Sequence, residues 1–229
     1  MQNIAFQYPA PPAPRAKHEI AANLPIEASK LSNQLYKAVF SALDGPQGVK
    51  PADFVVALGA LAGYAARWIV HRQIAQGDIE DDFATPPGSN RPFISISRQV
   101  NRSVTDLTKE SFAGVLTHSM MAAGANWLPT IDQGIEHNFV SINEPGYPDY
   151  SIDCEHWPQL PPQALLMMMW ESQARILAHT AGAPEVAVKA YALATTQAAQ
   201  SFKDALPMDR AAQLALETAI ATAKLKYAF

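Results

Sequence analysis

The sequence predicts a mainly α protein: a single-domain bundle of about six helices over residues 25–229, with a minor two-stranded β element near residues 90–100. Three observations carry that expectation. Alanine, the best helix former, fills 40 of the 229 positions, against only 11 glycines. The 18 prolines are bunched in a few stretches, leaving long segments free of helix breakers. Within those segments the apolar residues recur near the helical period. A hydrophobic fraction of 48% with 17% charged residues belongs to a globular chain with a sizeable core.

Residues 1–24 read as a proline-rich arm. Pro9, Pro11, Pro12 and Pro14 favour extended polyproline geometry. From Pro25 the pattern turns helical, with Ile26, Leu31, Leu35, Val39, Phe40 and Leu43 recurring near the helical period and Gly45-Pro46 as the stop. Pro51 suits the first turn of the next helix, which runs to about Gln76. Gly59 and Gly63 stand one turn apart in it, flanked by Ala60, Ala62 and Ala66. In a membrane that spacing marks a dimer face; here it reads as a close internal helix crossing. Residues 54–66 contain no charge, but thirteen residues fall short of the roughly 18–20 that span a bilayer. Even when the run is extended past Arg67 to Val70, it reads as a buried core helix.

An acidic break follows, with Asp78, Glu80, Asp81 and Asp82 ahead of Pro86-Pro87-Gly88. Residues 93–97 then alternate apolar and polar, as a half-buried strand does; segments 82–84 or 135–142 are the candidate pairing partners. Thr105 or Asp106 is the expected cap of a helix reaching about Ala123. Residues 124–162 carry six prolines and admit only a short helix over 130–140. Three strong helices close the chain, at 163–181, at 184 to about 205, and at 209–228.

Charge is unevenly distributed. Residues 110–174 contain eight carboxylates (Glu110, Asp132, Glu136, Glu144, Asp149, Asp153, Glu155 and Glu171) and no Lys or Arg. All seventeen bases lie elsewhere, beside thirteen acids, so the flanks carry a surplus of about four positives within a net charge of −4. Such a field draws cations and basic proteins and repels nucleic-acid phosphates. The bases make no compensating footprint, since Arg91, Arg98, Arg102 and Lys109 are the nearest approach to a cluster. The lone Cys154 excludes an internal disulfide framework and fits a reducing compartment. With no basic-then-apolar start, the expected location is the cytoplasm.

Reactive residue types are densest at Asp153-Cys154-Glu155-His156, with Glu136-His137 some twenty residues earlier. Carboxylate and imidazole together suit zinc or iron, so His118, His137, Asp153, Glu155 and His156 are the candidate metal ligands. Adjacent residues point in different directions, however, and no spacing places two ligands on one face; a solvated acidic loop is the plainer reading. No phosphate-binding loop, dinucleotide fingerprint or nucleophile elbow is present.

On the helix beginning near Gln163, Glu171, Arg175 and His179 stand four apart and form one polar stripe. Met167, Met168, Met169 and Trp170 point all round that helix and read as core gap-fillers, although methionine also makes adaptable interfaces. The function expected from this pattern is a non-catalytic helical interaction or binding protein. Its partner surface lies in 110–174 at Asp149, Asp153 and Glu155, with Glu171, Arg175 and His179, and its partner is a basic protein or a second copy in a homo-oligomer. The alternative is a metal-dependent or small-ligand enzyme built on the five ligand candidates. No particular cofactor is indicated, and neither nucleic acid nor membrane is expected as a partner.

Overall fold

The computed structural model describes residues 17–85, 95–107, 110–126, 134, 136–137, 150–180 and 184–225. It is mainly helical. Seven α-helices occur among the described residues: α1 (Lys17–Leu43), α2 (Pro51–Gln76), α3 (Arg98–Thr105), α4 (Phe112–Ala122), α5 (Pro162–Thr180), α6 (Pro184–Ser201) and α7 (Met208–Thr222). A single 3-10 turn, Cys154–His156, precedes α5.

Helix α2 is the axis of the bundle. It is buried from Asp53 to Gly63 without a break, and again at Ala65, Ala66, Arg67, Ile69 and Val70. A helix apolar on all sides must be surrounded, and α1, α3, α5, α6 and α7 all pack on it. By length and composition it is the one described helix able to cross a membrane, yet 83% of its most apolar window is buried within this fold.

The tightest crossing joins α2 to α7, and the two glycines create it. A methyl group placed on Gly59 would lie 2.9 Å from the Ala215 Cα and closer still to its carbonyl oxygen. One placed on Gly63 would lie 2.8 Å from the Ala219 carbonyl carbon and 2.5 Å from Thr222 Oγ1. Thr222 closes the contact, donating from Oγ1 to the Ala60 carbonyl at 3.0 Å. The glycine pair is therefore an internal packing device. A second anchor is aromatic: Phe54 of α2 meets Tyr36, Phe40 and Phe202 edge-on, with centroids 5.0, 5.9 and 5.8 Å away. That arrangement suits the ring quadrupole.

Helix ends follow local chemistry. Gly77 adopts φ 76°, Asp78 N–H reaches back to the Gln73 carbonyl and Gly77 N–H to that of Ile74; together these close α2 in the glycine-dependent αL manner. Ser97 caps α3 by accepting from Val100 N–H at 3.2 Å. Ser111 caps α4 by accepting from Gly114 N–H at 3.0 Å.

These caps correct the sequence reading in two places. The helix expected to begin at Thr105 or Asp106 starts instead at Phe112, because Ser111 supplies the cap. Before it stands α3, a helix the apolar pattern did not announce: it buries only Val100 and Val104, one turn apart, and is otherwise polar. Among the described residues there are thus seven helices, where about six were expected in all.

The minor two-stranded element is likewise not formed among the described residues. Ala84 and Ile96 make one isolated antiparallel bridge, with N–H···O distances of 2.9 and 2.8 Å. Ser95 N–H turns to the Lys224 carbonyl at 2.8 Å, and Ser97 already begins α3, so no ladder extends past Ile96. Helix α1 also starts earlier than Pro25 and passes through it, so residues 17–24 of the expected arm are helical. The rest of the arm, the start of the expected strand at 93–94, and most of 124–149 lie outside the described residues.

Candidate functional site

Residues 150–160, which include the densest sequence cluster, are strapped to the start of α2 and the middle of α7 by buried carboxylates. Glu217 of α7, 2% exposed, accepts from Ser151 N–H at 3.0 Å and also from the Ser151 hydroxyl. Gln213, one turn earlier, donates to the same carboxylate at 3.2 Å. Asp53, in the first turn of α2, accepts from the backbone N–H groups of Gln159 (2.6 Å) and Leu160 (3.1 Å). Charge-assisted bonds to backbone donors are among the stronger ones, and they hold a segment whose only helical element is the 3-10 turn Cys154–His156. Neither acid was singled out from the sequence. Asp53 is recognisable afterwards by its place next to Pro51 at a helix start, but Glu217 carries no local signal at all.

Between Lys50–Asp53, the stretch 155–159 and Ala205–Leu206 lies an open cleft of about 220 Å³. His156 lines it, with Nε2 3.4 Å from Glu155 Oε1. Asp153 and Glu155 point outward, their side chains 72% and 73% exposed. The ion pair of Asp153 is with Arg210 of α7 at 3.6 Å. Arg98 and Arg102 lie exposed on α3. Glu110 pairs with Lys189 of α6. Two acids of the middle segment are thus matched by bases from distant helices.

The metal candidates are placed separately. His118 is exposed on α4, its Nδ1 2.7 Å from the Gly114 carbonyl of the preceding turn. His137 is half-buried. Glu155 and His156 touch at 3.4 Å on the 3-10 turn, while Asp153, just before it, turns to Arg210 at 3.6 Å. Among the described residues no three His, Cys, Asp or Glu side chains group so as to hold a metal ion. Asp149 and the side chains of Cys154 and His179 lie outside the described residues.

Helix α5 resolves the methionine run. Met169 and Trp170 are buried, and Trp170 packs edge-on against Tyr64 and Trp68 of α2 at 4.6 and 5.7 Å. Met167 and Met168 face outward, 66% and 57% exposed. Only half of the run is core, because at 100° per residue three consecutive side chains cannot share one face. Beside the exposed pair, Glu171 and Arg175 form an ion pair with both side chains about 70% exposed. Met167, Met168, Glu171 and Arg175 therefore make one continuous outward strip of two large apolar side chains and two opposite charges.

Other polar groups are occupied structurally. Arg67, 3% exposed, donates to the Ser95 carbonyl (3.1 Å) and hydroxyl (2.7 Å) and lies 4.3 Å over the Phe83 ring. His71 stacks on Phe83 at 4.2 Å. Burial, and then the Arg67 charge, hold that imidazole below its ordinary range against the opposing pull of Asp81, so it is neutral at pH 7. Burial pushes Lys224 down to about 8 and raises the Tyr191 phenol, whose hydroxyl donates to Gln173 Oε1 at 3.1 Å.

Comparison with family models, with curated proteins and with solved structures finds no match for this chain.

Proposed function

We propose that this is a non-catalytic helical interaction protein that meets its partner through the outward part of residues 110–174. The observation that carries the reading is the α5 strip, where Met167 and Met168 stand more than half exposed beside the Glu171–Arg175 pair. Large apolar side chains side by side on a helix, rimmed by charge, are the composition of a contact surface, and methionine adapts its shape to what it meets. Glu155, its side chain 73% exposed, adds negative charge to the outward part of the segment.

Site-specific photo-crosslinking tests this. A photoactivatable residue replacing Met168 should yield discrete crosslinked products in an extract of the source cells, lost when Met167→Glu is added. The same residue at the exposed Lys203 should yield none of them. Equal crosslinking from both positions, or none from Met168, refutes the surface.

A further inference from the structure

Resting on that reading, we infer that the partner of the α5 strip is a second copy of this chain, docked with the two α5 helices antiparallel. The strip carries one acid and one base, so it is neutral and gives no net pull on a strongly basic or strongly acidic protein. Its charges are instead complementary to themselves. Glu171 and Arg175 lie equally far on either side of residue 173. A two-fold axis at that level sets Glu171 of each copy against Arg175 of the other, twice over. A parallel pairing would set like against like and be repelled.

The same axis places Met168 opposite Ala178 of the second copy, a large side chain against a small one. Both positions lie outside the buried side of α5, Met168 exposed and Ala178 half-buried. The contact is isologous, each copy using the same patch. A helix of this length, about 28 Å at 1.5 Å per residue, presents less than the roughly 800 Å² per partner of a standard interface. The dimer is therefore a transient one.

Sedimentation velocity of the purified full chain over a concentration series reads this directly. Wild type should shift from monomer towards dimer across that range. Glu171→Arg and Arg175→Glu each make the strip like-charged and should weaken association at least about tenfold. Both residues are highly exposed, so neither change threatens the fold. Mixing the two variants restores opposite charges at both contacts and should recover a mixed dimer, as should the double variant E171R/R175E with itself. A wild type that stays monomeric throughout, or variants that associate as wild type does, would overturn the inference. If crosslinking from Met168 captures a different protein while the chain stays monomeric, self-docking is wrong although the strip remains a partner surface. If Met168 captures nothing and the chain is monomeric, both readings fall.

Discussion

Replacing Gly63 by alanine sets two effects against each other, and the structure decides which wins. On helix propensity alone, Gly→Ala in a helix interior should stabilise by about 1 kcal/mol. At this position the added methyl lies 2.8 Å from the Ala219 carbonyl carbon and 2.5 Å from Thr222 Oγ1, and closer still to the Ala219 oxygen. Two of those atoms are backbone, so no rotamer change relieves them; α2 and α7 must separate. Overpacking of a tight core costs about 1–3 kcal/mol, and the upper end applies where backbone is the obstacle. Separation also stretches the 3.0 Å bond from Thr222 to the Ala60 carbonyl, a loss of at most about 1 kcal/mol because the same hydroxyl keeps the Thr218 carbonyl at 2.9 Å. The net expectation for Gly63→Ala is a destabilisation of about 2–3 kcal/mol, or a fall in Tm of roughly 4–12 °C for a chain of this size. Gly63→Leu should cost more than 4 kcal/mol. Gly45→Ala is the control, because nothing lies within 4 Å of a methyl there; its Tm should stay within about 2 °C. Thermal unfolding by circular dichroism reads all three. A Gly63→Ala protein that melts at or above the wild-type temperature would refute the close crossing.

Three further outcomes follow from the buried and exposed charges. Lys224, with its pKa pushed down to about 8, is destabilising while charged in both states; that cost shrinks as pH rises from about 8 to 10.5, where the unfolded chain binds the extra proton. Lys224→Met should accordingly be more stable than wild type by roughly 3 kcal/mol at pH 7, with the gap closing by pH 10.5, and a pH-independent difference in urea midpoints would contradict it. Glu217→Ala leaves Ser151 N–H without its acceptor, while Gln213 keeps the Ser151 hydroxyl. It should cost about 2–4 kcal/mol and expose residues 150–160 to limited proteolysis; an unchanged digestion pattern would argue against the strap. Asp153→Asn with Glu155→Gln should change stability by less than about 1 kcal/mol, since both acids are exposed, while slowing association with a basic test protein at low salt. A loss beyond 2 kcal/mol would show that these acids belong to the fold rather than to the surface.

Much of the bundle was legible along the chain, because helix formation is local. Alanine content, the apolar period and the Pro51 and Gly77 boundaries place α2, and residues 163–181 match α5 closely, whereas α6 ends at Ser201 and α7 at Thr222, short of the expected 205 and 228. The small residues at 59 and 63 also announced a tight crossing. Where the reading failed, a competing local bond decided the matter: Ser111 moved the start of α4, and Ser97 began α3 where a strand was expected to continue.

The candidate surface was legible only as composition. The run of residues 110–174 without a base is a property of the sequence, but which of its acids stay in water is not. Glu110 and Asp153 find Lys189 and Arg210 more than fifty residues away, and the strap that orients 150–160 depends on Asp53 and Glu217, which lie outside the acidic run. Likewise the order Met-Met-Met-Trp fixes angles round a helix without saying which angle faces Tyr64 and Trp68. Local propensities and periods are written residue by residue and survive in one dimension. The exposure of Met167 and Met168, and the identity of the partner helix at Gly63, depend on what other segments cover. Only tertiary packing decides that.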